Sequence, residues 1–179
     1  GFSLDVNRGG EQVEIDGQGG IICAPEADLM LGNAGTAYRF LCAACCLGGG
    51  YYRLDGIERM RQRPVGQLVE VLRRIGGRID YLGAIGYPPL AVTGTTLGGG
   101  ELSMSPTLSS QYISALLQVG PCCRNGLTIQ FDGPVTSQPY VEMTLTLMSQ
   151  FGAVALVVRL RPAAARGRLA GTIARAVGR

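Results

Sequence analysis

Four short stretches of this chain place polar or cationic residues where an apolar helix begins. In the first, "GNAGT" separates a strand-like run from an apolar helix with an arginine just inside it. The first turn of a helix presents unpaired N–H groups and a partial positive charge, so hydroxyl and amide side chains there favour an anion. The candidate binding residues are Asn33, Gly35, Thr36 and Arg39, then Arg63, then Ser109, Ser110 and Gln111, and finally Ser137 and Tyr140.

Ordinary helix capping explains any one of these stretches taken alone. Four of them together suggest more, because helix starts that face the same side would bring dipoles, hydroxyls and arginines to one phosphate or carboxylate. Arg63 is the strongest single candidate. Pro64 suits the first position of a helix, which would place the Arg63 guanidinium at the positive end of a helix dipole, an unfavourable place without an anion.

The basic residues exclude several kinds of chemistry. All 16 of them are arginine, and the 179-residue chain has no histidine. Reactions that need an imidazole or an amine at neutral pH therefore cannot come from this chain. "GNAGTA" does not match G-x-G-x-x-G, and a G-K-[ST] loop requires lysine, so these motifs do not support nucleotide binding. The net charge of +3 is too small to indicate nucleic acid as a partner by itself, and six of the arginines lie beyond residue 158.

The six cysteines lie mostly in apolar segments. We interpret them first as small buried hydrophobic residues in a reducing compartment. A zinc site built from Cys42, Cys45, Cys122 and Cys123 is the alternative, although only the first pair has ligand-like spacing. The sequence shows no signal peptide and no uncharged apolar run of about 18 residues, so we expect a cytoplasmic protein without a membrane span.

The hydrophobic pattern predicts a hairpin followed by a duplicated α/β unit. Residues 2–23 alternate as two strands, and the next segment has the order strand, helix, strand, helix, strand, strand before the plan begins again near residue 102. Asn33 precedes Ser109 by 76 positions, and Arg63 precedes Ser137 by 74. The nearly constant offset indicates a βαβαββ unit of about 75 residues, present once in full and once in part.

The pattern weakens past Ala155. Residues 156–179, which we call the Arg-rich tail, contain six arginines and no acidic residue. This composition fits an amphipathic helix, a disordered segment or sequence foreign to the parent fold. We therefore expect a single partial domain of two repeat units over residues 1–155, followed by a divergent tail over residues 156–179.

Five stretches together resemble a known family. "LGNAGTAYRFL", "ERMRQRPVGQLVEVLRRIGG", "GYPPLAVTG", "SSQYISALLQVGP" and "SQPYVEMTLTLMSQFG" are similar, in order and spacing, to 5-enolpyruvylshikimate-3-phosphate (EPSP) synthases. The similarity covers residues 2–154. It implies a mixed α/β fold in which repeated βαβαββ units pack around buried helices as an inside-out α/β barrel. In that family the helix starts face a cleft between two domains.

The resemblance also implies an activity, the transfer of an enolpyruvyl group from phosphoenolpyruvate to shikimate 3-phosphate in the shikimate pathway of aromatic amino acid biosynthesis. The reaction releases phosphate and requires no metal or organic cofactor. By this resemblance Asn33, Gly35 and Arg63 border the site for phosphoenolpyruvate, where the inhibitor glyphosate also binds. Thr36 and Arg39 are similar to residues that support the glycine loop.

The same resemblance assigns the second substrate to the other helix starts. Ser109, Ser110 and Ser137 would hold the 3-phosphate of shikimate 3-phosphate, with Tyr140 beside them. Gln111 would lie between the two ligands. The family's acid and base groups, carboxylates and lysines, come from the other domain, so the catalytic residues are unknown for this chain. We expect a fragment that carries half of the site, binds shikimate 3-phosphate weakly and turns over little or nothing alone.

Several alternatives stay open. The related UDP-N-acetylglucosamine enolpyruvyl transferase shares the fold and the donor, but the Ser-Ser-Gln and Ser-Gln-Pro-Tyr stretches fit a phosphorylated shikimate better. The chain could also be a non-catalytic anion-binding module that assembles with a complementary domain, or it could bind nucleic acid through its Arg-rich tail. Phe40 stands where the family usually has proline, which predicts either a packing change or an altered response to glyphosate.

Overall fold

The chain folds as two similar α/β units preceded by a hairpin. The structure is a computed structural model, and for residues 154–159 and 172–177 it describes only the backbone. Residues 160–171 and 178–179 of the Arg-rich tail lie outside the described part. The described residues are 3–7, 9–17, 22–105, 109–131, 135, 137–159 and 172–177.

The predicted N-terminal hairpin is present. Strands β1 (Ser3–Val6) and β2 (Val13–Asp16) pair antiparallel, with Leu4 opposite Ile15 and Val6 opposite Val13. This register places four aliphatic side chains on one face, and all four are exposed. A two-stranded sheet with an uncovered apolar face is only marginally stable in water.

The first unit has the predicted order of strands and helices, except that two helices rather than one lie between its second and third strands. Its sheet has the strand order β3-β4-β6-β5, in which β3 and β4 are parallel and the other pairs are antiparallel. Alternating side chains of β4 are buried, as expected for a sheet with helices on one face. The elements are β3 (Glu26–Met30), α1 (Gly35–Cys45), β4 (Tyr51–Asp55), α2 (Glu58–Arg61), α3 (Gly66–Arg74), β5 (Arg78–Tyr81) and β6 (Leu90–Thr93).

The second unit repeats this topology. Its strand order is β7-β8-β10-β9, again with one parallel pair followed by two antiparallel pairs. The sequence pattern shows this unit only in part, and the structure adds two strands, the second of which lies wholly within the Arg-rich tail. The division of the chain at residue 155 stays a prediction. The elements are β7 (Gly100–Met104), α4 (Ser110–Val119), β8 (Leu127–Phe131), α5 (Gln138–Gln150), β9 (Val154–Arg159) and β10 (Thr172–Val177).

Helices α1 and α4 form the centre of the core. They pack against each other, and α5 packs against α4. Tyr38, Cys42 and Ala43 of α1 are fully buried, as are Ile113 and Leu116 of α4. Burial on several sides explains why both helices are apolar nearly all round. The interface between the two units is therefore built from the helices whose first turns carry the candidate residues.

The cysteines are mostly core residues. All six are free thiols, of which Cys23 and Cys122 are exposed and the other four are buried. Burial raises the pKa of Cys45 and Cys123 to about 11 and that of Cys46 to about 12. Among the described residues, no three His, Cys, Asp or Glu side chains are close enough together to hold a metal ion. The zinc alternative therefore has no geometric support in this part of the chain.

Candidate functional site

The start of α1 is crowded by two guanidinium groups. Gly35 begins the helix, and a Cβ at this position would overlap the guanidinium of Arg63 and lie 2.7 Å from Nη1 of Arg39. Arg63 Nη1 donates a hydrogen bond to the backbone oxygen of Asn33 at 3.2 Å. Asn33 and Thr36 are exposed, whereas Gly35 is buried. The glycine is needed here because two cations approach the backbone closely.

Arg63 lies at a different helix start from the one predicted. Pro64 is not in the first helical position, because α3 begins at Gly66. The backbone N–H groups of Val65 and Gly66 both donate to the carbonyl of Gly86, and this tertiary contact sets the start of α3. The Arg63 guanidinium instead lies beside Gly35, at the positive end of the α1 dipole. A cation therefore does lie at the positive end of a helix dipole, as inferred from the sequence, but the helix is α1 and not α3.

The start of α4 is a capped helix end joined to α1. Ser109 is the N-cap, and its hydroxyl oxygen accepts a hydrogen bond from the backbone N–H of Gln111 at 3.3 Å. Ser110 is half-buried and Ser109 is exposed. The side chain of Gln111 reaches α1, where its Oε1 accepts a hydrogen bond from Arg39 Nη1 at 2.8 Å. This bond connects two helix starts whose sequence positions are 72 residues apart.

The start of α5 has an unusual backbone. Ser137 precedes the helix with a φ of 56°, and no other non-glycine residue of the described ranges has a positive φ. A serine in this left-handed region costs about 1 kcal/mol or more, so surrounding structure must hold it. The Ser137 side chain is exposed and makes no capping hydrogen bond, which leaves its hydroxyl available to solvent or a ligand. Tyr140 follows in the first turn and is also exposed.

The three helix starts open on one groove. This helix-start groove has a volume of about 1220 Å³ and is lined at its polar end by Thr36, Ser110, Gln111 and Tyr140. Apolar side chains of α1 and α5, among them Phe40, line much of the remainder, together with a few polar side chains of α4 and α5. The structure thus brings together residues of α1, α4 and α5 that the sequence analysis had predicted separately. Asn33, Gly35, Arg39, Arg63, Ser109 and Ser137 lie on the same helix starts without lining the groove itself.

The electrostatics around this groove favour an anion. None of the three helices has an acidic residue in its first turn. Elsewhere, Arg53 and Arg61 form ion pairs with Asp28 and Asp55. Within the described ranges, neither Arg39 nor Arg63 has a carboxylate within 4.0 Å. Two unneutralised guanidinium groups and three dipole ends create a positive potential at one place.

Three further residues of the site were missed by sequence reasoning. Tyr112 is nearly buried, its hydroxyl donates to the carbonyl of Pro64 at 2.8 Å, and the Arg39 guanidinium lies 5.4 Å from its ring centre. Ser114 and Thr144, which line the groove, are joined by a hydrogen bond of 2.8 Å between their hydroxyls. Tyr112 adjoins Gln111 in sequence, but an aromatic residue in an apolar helix indicates a core position first.

Phe40 contributes to packing. It is half-buried, packs against the hydrophobic core and lines the apolar end of the helix-start groove. This placement supports the packing interpretation of the residue that stands where the family usually has proline.

In the part of the chain that the structure describes, no helix is both long and apolar enough to cross a membrane.

Comparison with known proteins identifies a family. The model of the family described as EPSP synthase (3-phosphoshikimate 1-carboxyvinyltransferase) matches residues 3–158. A 3-phosphoshikimate 1-carboxyvinyltransferase from Shewanella baltica is 44% identical over 153 residues, and one from Shewanella pealeana is 45% identical over 153 residues. Each match covers 85% of this chain and 36% of the relative. The chain therefore spans about a third of the length of the relatives that it matches.

A solved structure shows the same fold. The EPSP synthase of Acinetobacter baumannii superposes with a TM-score of 0.74, and the match covers 99% of this chain and 36% of that one. The sequence identity over this match is 24%, so the comparison concerns the fold alone. The mixed α/β fold expected from the repeated units is confirmed by this likeness.

Proposed function

The chain belongs to the EPSP synthase family, and from this membership we propose that it carries half of a site for enolpyruvyl transfer from phosphoenolpyruvate to shikimate 3-phosphate. The observation that carries the proposal is the helix-start groove, on which three helix starts without first-turn acids open. Amide N–H groups, hydroxyls and guanidinium groups are suitable ligands for phosphate and carboxylate oxygens. Both proposed substrates carry such groups.

The two ends of the site would bind different ligands. The hydroxyls of Ser109, Ser110 and Ser137, together with the α4 and α5 dipoles, would hold the 3-phosphate, with Tyr140 beside it. Phosphoenolpyruvate would lie at the start of α1. This assignment is supported by the Ser137 hydroxyl, which makes no capping hydrogen bond, and by the absence of acidic residues from the first turns of α4 and α5.

The start of α1 would hold the donor. Asn33 and Gly35 would border phosphoenolpyruvate, and the forked guanidinium of Arg63 would pair with its phosphate or carboxylate. Thr36 and Arg39 would support the glycine loop at the start of α1. The support for this assignment is the position of Arg63, whose cation lies at the positive end of a helix and within the described ranges has no carboxylate partner.

Binding is only part of the proposed reaction. The attacking hydroxyl must lose a proton, and the methylene carbon of phosphoenolpyruvate must gain one. The chain has no lysine or histidine, and none of the described residues that line the groove is acidic. We therefore propose that a complementary domain supplies the acid and base groups, which is consistent with the 36% coverage of the relatives. The six free thiols support a reducing, cytoplasmic location.

Reconstitution tests this function. The purified chain is incubated with phosphoenolpyruvate and shikimate 3-phosphate, alone and together with the remaining part of a related synthase, and phosphate release is measured. We expect little or no release from the chain alone and clear release from the mixture, with none when UDP-N-acetylglucosamine replaces shikimate 3-phosphate. A mixture that stays inactive although both parts associate and bind shikimate 3-phosphate would favour the non-catalytic alternative. Robust turnover by the isolated chain would contradict the half-site.

A further inference from the structure

Arg39 occupies a buried position between the two units. Its side chain is only 7% exposed. Nη1 donates to Gln111 Oε1 at 2.8 Å, and Nη2 makes a long contact of 3.5 Å with the carbonyl of Pro64. The guanidinium also lies over the ring of Tyr112. Its Nε is buried and has no hydrogen-bond partner among the described residues. A buried cation held by neutral groups alone is costly, so a function must be sought for it.

The contact with Gln111 fixes the direction of an amide. A guanidinium can only donate hydrogen bonds, so the atom of the Gln111 amide that faces Arg39 must be the oxygen. The amide nitrogen, with its two N–H donors, then points away from Arg39. Within the described part of the chain no hydrogen bond engages this nitrogen, and Gln111 lines the helix-start groove.

We propose that Arg39 is a positioning residue that locks the Gln111 amide with both N–H donors directed into the helix-start groove. This inference rests on the proposed function, because it names what the groove presents to the phosphate of a ligand. An amide that is free to rotate could present its oxygen instead, and two oxygens with partial negative charge repel each other. The lock therefore selects an anion over a hydrogen-bond donor at this position.

Only an arginine suits this role. Its fork reaches Gln111 with one nitrogen and the backbone before α3 with another, and its guanidinium lies over the Tyr112 ring. A lysine ammonium is a point charge that cannot hold these groups in one plane. Tyr112 donates to the same Pro64 carbonyl, so the residue next to Arg63 is held by the same network. Arg39 thereby connects Gln111 to the backbone next to Arg63, the other side chain proposed to bind an anion.

The test is a double-mutant cycle on the full chain with inorganic phosphate as the probe. Affinity is measured by NMR titration for the wild type, Arg39→Met, Gln111→Met and the double variant. We expect each single variant to bind phosphate about tenfold more weakly, and the double variant to bind no more weakly than either. Additive losses, or an unchanged affinity of Arg39→Met, would overturn the proposal.

A ligand-free measurement separates this inference from the proposed function. The ¹⁵N relaxation of the Gln111 side-chain NH₂ group reports its mobility without any phosphate. We expect an ordered amide in the wild type and a mobile one in Arg39→Met, and equal mobility would refute the lock. If the wild type does not bind phosphate but its amide is ordered only with Arg39, the positioning stands and the proposed anion site fails.

Two further variants cover the case in which Arg39→Met does not fold. Arg39→Lys keeps the positive charge but loses the fork, so we expect a folded chain with a mobile amide and weaker phosphate binding. Gln111→Glu keeps an oxygen toward Arg39 but places a second oxygen where the N–H donors were. It should fold as well as the wild type and lose phosphate binding. Retained binding in Gln111→Glu would contradict the proposed donors.

Discussion

Gly35 is the residue at which local backbone and ligand binding are most tightly connected. A Cβ at this position would overlap the Arg63 guanidinium, which is the flexible end of a side chain, and would lie 2.7 Å from Nη1 of the buried Arg39. For Gly35→Ala we therefore expect a loss of stability of about 1–2 kcal/mol, because Arg39 is buried and shifts less freely than Arg63. Inorganic phosphate should bind about tenfold more weakly, since a cation has moved.

The matched control for this prediction is Gly49→Ala. Gly49 is exposed, and a Cβ there would meet no atom within 4 Å. Thermal unfolding and phosphate titration are compared for both variants. Equal phosphate affinity of Gly35→Ala and the wild type would show that the position of Arg63 does not matter for anion binding.

The cysteines allow a second test at this scale. The thiolate is the reactive form, and burial raises the pKa of Cys45 and Cys123 to about 11 and that of Cys46 to about 12. At pH 8 these thiols are protonated as well as shielded, whereas Cys23 and Cys122 are exposed. Iodoacetamide should therefore modify two cysteines quickly and the other four only after unfolding. Mass spectrometry of the labelled chain measures this, and rapid labelling of Cys46 would mean that the core is open.

At the scale of elements, the sequence predicted most of the segments but not every helix start. The apolar pattern predicts strands over Leu90–Thr93 and Leu127–Phe131, and β6 and β8 have these bounds, because short apolar runs between turns define them locally. The start of α3 was predicted two residues too early. Local rules place proline at the first helical turn, but hydrogen bonds from Val65 and Gly66 to Gly86 decide this boundary, and the sequence does not show such distant contacts.

The sequence predicts which types of residue form the site, but not which contacts they make with one another. Helix starts rich in serine, threonine and asparagine indicate anion-binding sites, and the structure brings three of these helix starts to one groove. The bond between Arg39 and Gln111 depends on how the two units pack, and 72 positions separate these residues. Packing of one unit on another follows from side-chain shapes that a repeat pattern does not specify.

The connection between β4 and α2 gives a pH-dependent prediction. Arg61 donates two hydrogen bonds to the Asp55 carboxylate, at 2.9 and 2.5 Å, and this pairing lowers the pKa of Asp55 below its ordinary value. A lowered folded-state pKa means that the pair stabilises the fold above the unfolded-state pKa of about 4 and ceases to do so as the pH falls through the folded-state pKa. The pair holds the loop that leads to Arg63.

The variant Asp55→Asn tests the direction in which the stabilisation by the Asp55–Arg61 pair changes with pH. The amide oxygen can still accept the hydrogen bond from the Gly56 N–H, so the change removes mainly the charge. We expect a small loss of stability at pH 7, because the pair is partly exposed, and this loss should begin to shrink near pH 4 and disappear as the pH falls through the lowered folded-state pKa. Urea unfolding of both proteins from pH 7 down to pH 3 measures it. A difference that grows toward low pH would show that the pair does not lower the pKa of Asp55.

At the scale of the whole molecule, the duplication was visible in the sequence but its extent was not. β4 and β8 begin 76 residues apart, close to the offset of the polar motifs. β10 lies in the Arg-rich tail, whose composition hides a strand that occupies the place of β6 in the second sheet. A segment rich in one charge resembles a solvated tail first, so the sequence does not indicate this strand.

The whole molecule also has an apolar face without a partner in the described structure. On α5, Met143, Leu147 and Phe151 are 61%, 54% and 85% exposed and line the groove, whereas Leu145 on the opposite side is buried. Exposed apolar patches of this kind mark interaction surfaces. Since the chain spans 36% of the length of its relatives, we propose that the complementary domain of the proposed function covers this face.

Leu147→Gln and Leu145→Gln form a matched pair that tests this surface. For the isolated chain we expect Leu147→Gln to change the free energy of unfolding by about 0.5 kcal/mol or less, and Leu145→Gln to reduce it by about 3 kcal/mol. Association with the complementary part should weaken markedly for Leu147→Gln. Urea unfolding and a pull-down with the complementary part measure the two effects, and undiminished association would place the interface elsewhere.

We propose that helix starts from both units form one binding site for a phosphorylated ligand. The most direct test is a titration of the ¹⁵N-labelled chain with shikimate 3-phosphate, compared with unphosphorylated shikimate. We expect saturable shifts of backbone amides at Ser109, Ser110 and Ser137 with shikimate 3-phosphate, and much smaller shifts with shikimate. Equal shifts with both compounds, or shifts confined to residues away from α4 and α5, would contradict it.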